Sequence, residues 1–186
     1  MTSENNRLVS RSMGYKHMIF YKKSVVVYDL TYLFCERYIN KKDRTYDQMI
    51  QAARSGKQNI VEGYVDGATS LESCLKLLNI ARGSLMELLE DYDDYLRTRG
   101  LRVWEHGGVE HEAMINLSRK HCDSADYLDI ARTRNDEVIA NMAIMLIQDT
   151  ESLLYKYIQR KEQDFLTHGG FREKLTRERL KVRNKL

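Results

Sequence analysis

The chain has 186 residues, 42% hydrophobic and 31% charged, with no proline. That balance is too apolar for a disordered chain, no apolar run approaches the ~20 residues of a membrane span, and the lack of proline permits long helices almost throughout. The net charge of +3 is unevenly placed: residues 171–186 hold seven basic and two acidic side chains, which leaves −2 for the rest of the chain.

The polar start, Met1 to Asn6, is followed by no apolar stretch, so no secretory signal is read. Helix 1 is expected at about 17–40, where Val27, Leu30, Phe34 and Tyr38 recur at spacings of three and four. Helix 2 is expected at about 46–63, with the small residues Ala52, Ala53, Gly56 and Gly63 on its seam. They would let a neighbouring helix approach closely, and Gly63 to Thr69 reads as a loop. Helix 3, about 70–99, has the clearest period: Leu71, Leu75, Leu78, Arg82, Leu85, Leu89 and Tyr92, with Ser70 as N-cap and an end by Gly100. Residues 101–133 read as a turn at Trp104–Gly108, a short helix from Val109 to His121, and a second from a capping Ser124 to Ile130. Helix 4, about 135–165, shows Ile139, Met142, Leu146, Leu153 and Tyr157 on one face, with Asp149 and Thr150 breaking the stripe. His168–Gly170 reads as a C-cap and hinge before a last short helix from Phe171.

These elements predict an all-α chain. Residues 1–168 form an antiparallel up-down four-helix bundle with an inserted short helical segment at 101–133, and 169–186 form a basic helical suffix. Twelve tyrosines against four phenylalanines suggest a thin core or a wet helix seam, with hydroxyls in water. An odd cysteine count (Cys35, Cys74, Cys122) without paired spacing argues against a disulfide framework and for a reducing, cytoplasmic compartment.

Two segments carry a family resemblance. Gln51–Gly63 (QAARSGKQNIVEG) is similar to the second-helix signature of the 23S rRNA intervening-sequence protein family, roughly R-A-A-x-S-I-x-x-N-I-A-E-G. Leu78–Leu88 (LNIARGSLMEL) is similar to its third-helix signature, roughly L-x-I-A-x-G-S-x-x-E-L. The resemblance implies a four-helix bundle that assembles into ring-like homo-oligomers, often pentamers, with no known enzymatic activity. It extends to the accessory protein of diversity-generating retroelements, which contacts a reverse transcriptase and nucleic acid. The chain departs from the family at Gly56, where isoleucine is usual, in the length of 101–133, and in an acidic body unlike that basic barrel. Its suffix resembles that of the four-helix-bundle suffix proteins.

No catalytic residue, metal or cofactor is expected. Asn59, Glu62 and Glu87 lie within the family signatures and are read as a buried hydrogen-bond network that sets helix register. A di-iron carboxylate site needs Glu three residues before His, and none of the five histidines has it. His106, His111, His121 and Cys122 match no zinc-ligand spacing, and a rival reading of His106, His111 and Glu112 as a cryptic metal hydrolase rests on no motif. There is no G-x-S-x-G and no phosphate loop.

The suffix is the sharpest candidate. Arg172, Lys174, Arg177, Arg179, Lys181, Arg183 and Lys185 supply its charge; at 100° per residue Phe171, Leu175, Val182 and Leu186 share one 60° sector, and Lys174, Arg177, Lys181 and Lys185 fall on the other side. Such a helix can pack on its own bundle or a neighbouring subunit, grip RNA or DNA, or dock on a protein partner. A membrane is disfavoured by the lack of Trp and by Leu180 on the polar side.

Overall fold

The computed structural model describes residues 14–183, and all regular structure among them is helical. A 3-10 turn at Gly14–His17 leads into α1 (Ile19–Tyr38), α2 (Arg44–Asp66) and α3 (Leu71–Arg99). Two short helices follow, α4 (Val109–Lys120) and α5 (Ser124–Ala131), then α6 (Asp136–His168) and α7 (Phe171–Arg183). Among the described residues no helix is long and apolar enough to cross a membrane.

The helix ends follow local chemistry. The first free N–H groups of a helix need acceptors. Asp43 accepts from the Thr45 amide, Ser70 from Ser73 and Asn135 from Val138, starting α2, α3 and α6. Gly100 closes α3 at φ 65, the left-handed conformation that glycine adopts without a Cβ penalty. Two expected boundaries shift. Helix α2 runs past Gly63 to Asp66, because Gly63 is a packing residue inside the helix and not a breaker. The cap position before α5 is Asp123; Ser124 is its first helical residue, with its Oγ buried and unpartnered.

Each long helix packs on two others: α1 on α2, α2 on α3, α3 on α6, and α6 back on α1. The α2–α3 contact is the most extensive. A Cβ on Gly56 would stand 3.1 Å from Leu85, and one on Gly63 would stand 3.0 Å from Leu78 and 3.3 Å from the Cys74 carbonyl. These two contacts run in opposite senses, so α2 and α3 run in opposite directions. Two apolar clusters fill the interior. The larger gathers Leu30, Phe34, Met49, Leu88, Tyr92 and Ile139, and reaches Tyr127 of α5; the smaller holds Phe20, Ile60, Leu78, Leu154 and Ile158. The tyrosines are not all at wet seams. Tyr92 and Tyr127 are fully buried, and each hydroxyl finds an acceptor, Thr31 Oγ1 at 3.1 Å and the His121 carbonyl at 2.9 Å.

Polar residues that interrupt the α6 stripe are also buried for a reason. Asn141 accepts from the Trp104 amide (2.8 Å) and donates to the Arg102 carbonyl (2.9 Å), which pins the non-helical 101–104 strip to α6. The buried Thr150 hydroxyl donates to the Leu146 carbonyl at 2.6 Å.

The glycines separate packing from propensity. Gly63→Val should lower unfolding free energy by about 1–3 kcal/mol through overpacking against Leu78. Gly83 sits exposed in mid-α3 with nothing within 4 Å of an added Cβ, so Gly83→Ala should raise it by up to ~1 kcal/mol. Urea unfolding of the two variants checks both signs.

Candidate functional site

Helix α7 is positioned by an elbow of three contacts. Gly169, at φ 74, ends α6 with its amide on the Phe165 carbonyl (2.8 Å). The Gly170 amide donates to Glu173 Oε2 (2.7 Å), the backward half of a capping box. Arg177 then donates to the His168 carbonyl, so a cation from α7 caps the end of α6. The expected C-cap at His168–Gly170 is thus a turn held by three hydrogen bonds. Phe171 and Leu175 are half-buried, and Phe171 lines a cleft of about 990 Å³ with Leu71, Leu75, Phe165 and Leu166.

The charged side of α7 lies open. Arg172, Arg177, Arg179, Lys181 and Arg183 are all exposed. Lys181 pairs with Glu178 at 2.8 Å and Arg177 caps α6, while Arg172, Arg179 and Arg183 have no acidic partner among the described residues. At 100° per residue these three arginines fall within a ~40° sector, one face of the helix. The Lys174 and Val182 side chains, and Lys185 and Leu186, lie outside the described residues.

The expected network of Asn59, Glu62 and Glu87 does not form. Glu62 and Glu87 are exposed, because both fall on the outer edges of their helices. The polar contact between α2 and α3 is instead a hydroxyl pair, Ser55 to Ser84 at 2.9 Å, with Asn59 Nδ2 donating to the Ser55 carbonyl (2.9 Å) and Oγ (3.2 Å). Glu87 lines a cleft of about 840 Å³ between α2 and α3, with Asp47, Gln51, Glu90 and Asp91. The Asp91 carboxyl lies above its usual range, first through burial and then through repulsion by Asp94 and Glu87; Asp93 is raised likewise by burial, then Glu90 and Asp94.

A buried cluster joins α1, α4 and α6. Lys23 is 3% exposed, and its ammonium donates to Asp149 Oδ2 (2.6 Å), to the Ser118 carbonyl (2.9 Å) and to the Ser118 hydroxyl. Ser118 Oγ in turn donates to Asp149 Oδ2 at 2.6 Å. A serine beside a lysine invites a nucleophile reading. Here the three ammonium donors are all engaged and the serine proton is committed to a carboxylate, so the cluster fastens the end of α4 to the bundle. Sequence reading passed over Lys23. The signal was present: it takes a place in the Phe20–Val27–Leu30 stripe, and Asp149 breaks the stripe of α6.

Among the described residues no three His, Cys, Asp or Glu side chains converge to hold a metal. His106 and His111 stack at 4.7 Å between ring centres, whereas His121 turns away to Asp126 (2.8 Å). All three cysteines are free; Cys35 is buried, which together with Asp91 and Glu36 pushes its thiol up to about 12. No protein-family model, curated protein or solved structure matches the chain.

The two ends of the buried pair are unequal. Asp149→Ala strands the ammonium of a fully buried lysine and should cost about 3 kcal/mol. Lys23→Met leaves Asp149, whose side chain is 39% exposed, open to water and should cost about 1 kcal/mol. Chemical denaturation of the single variants measures the difference.

Proposed function

We propose that this protein is a non-enzymatic, oligomeric adaptor that grips nucleic-acid phosphates with α7. The observation that carries this reading is the open face of Arg172, Arg179 and Arg183. Guanidinium groups without carboxylate partners keep their donors for phosphate oxygens, which they bind in a bidentate fork. Arg177 and Lys181 lie on the far side of the helix, where the His168 carbonyl and Glu178 engage them. The capped elbow holds the helix in one direction, so less ordering is lost on binding.

Helix packing in chain order, α1 to α2 to α3 to α6, favours an antiparallel up-down four-helix bundle as the carrier of this helix. The similarity of residues 51–63 and 78–88 to the intervening-sequence protein signatures favours the same bundle and a ring-shaped homo-oligomer. In a ring several α7 helices act together, and avidity makes weak single contacts useful. Three free thiols suit a reducing, cytoplasmic setting.

Counterion release gives the measurement. Three phosphate contacts per subunit predict a slope of about −2.7 in log affinity against log salt on duplex DNA. A chain ending at Gly170 should lose most of both affinity and slope. Binding to structured RNA or duplex DNA that is weak and equal in the full and shortened chains overturns the reading.

A further inference from the structure

We propose that the acidic groove between α2 and α3 receives the arginine face of α7 from a second copy of this chain. Two unsatisfied surfaces carry the inference. In the groove, Asp47 of α2 faces Glu87, Glu90 and Asp91 of α3, and none of the four has an ion-pair partner among the described residues. Arg44, at one end, is the one cation among the described residues that line the cleft. The Asp91 carboxyl is raised first by burial and then by repulsion from Asp94 and Glu87. On α7, Arg172, Arg179 and Arg183 have no ion-pair partner among the described residues.

Dimensions agree as well as charge. Arg172 and Arg183 are eleven positions apart, about 17 Å of helix. The groove follows α2 from Arg44 to Ser55, also eleven positions apart and about 17 Å. Amide groups of Gln48 and Gln51 line it between the carboxylates and offer further acceptors.

The chain's own α7 does not fill its own groove. It leaves the bundle beside Leu71 and Leu75, and the groove begins at Ser84, about 14 Å beyond Leu75 along α3. The capped elbow fixes that exit. A second copy has no such restriction. The contact is head-to-tail: each copy offers one groove and one helix, so it propagates into a ring or a filament. It requires no nucleic acid, and it competes with nucleic acid for the same three arginines.

The test is sedimentation velocity of the full chain, without nucleic acid, from 50 to 500 mM salt. Self-association should weaken at least tenfold across that range. Glu87→Arg with Glu90→Arg should abolish it, as should Arg172→Glu with Arg179→Glu and Arg183→Glu. All five positions are exposed, and circular dichroism checks that each variant folds. An equimolar mixture of the groove-reversed and helix-reversed chains should associate again, because each restores the other's complement. A wild-type chain that stays monomeric at hundreds of micromolar and 50 mM salt overturns the proposal, and so does a mixture that fails to associate. Neutralised grooves, Glu87→Gln with Glu90→Gln, should leave RNA affinity unchanged or raised, which keeps this result separate from the nucleic-acid reading.

Discussion

A single buried ammonium sets the arrangement of the insertion between α3 and α6. Lys23 is brought inside by the same face of α1 that buries Phe20 and Val27. An unpaired charge there would be prohibitive, so α6 must present Asp149 and α4 must end where its carbonyls can accept. The pair is not chiefly a source of stability, since a well-packed apolar replacement could do as well. Its effect is geometric. It joins three helices at one point, places Ser118, and with Asn141 holding the 101–104 strip confines a long connection to one side of α6.

A second constraint acts at the other end of α6. The left-handed Gly169, the Glu173 cap and the Arg177 contact turn the chain into α7 without freeing it. One arginine is consumed in building the turn, which leaves three on one face without an ion-pair partner among the described residues. Charge is thereby divided between a basic appendage and an acidic body. Folding has not neutralised either, although they belong to one chain.

Between these constraints the bundle is ordinary in its physics. Gly56 and Gly63 let α2 and α3 approach until Leu85 and Leu78 meet backbone. The cost in helix propensity is recovered in packing that a larger residue would block. Buried tyrosines keep their hydroxyls satisfied through Thr31 and the His121 carbonyl, so the core gains aromatic volume without orphaned donors.

Helical periodicity determined most of the secondary structure. The α3 stripe, the capping Ser70 and the closing Gly100 stand as read, since they depend on neighbours within a few residues. The basic suffix was legible for the same reason: its charge is contiguous in sequence. What tertiary structure decided are the relations between residues far apart. Glu62 and Glu87 looked like members of a network because they share motifs with Asn59, yet a rotation of one helical position puts them in water and leaves Ser55 and Ser84 to pair. Lys23 and Asp149, separated by 126 residues, were each visible only as an interruption. Periodicity says which face a residue occupies, but only packing says what stands opposite it, and the chemistry of a buried charge is set by what stands opposite.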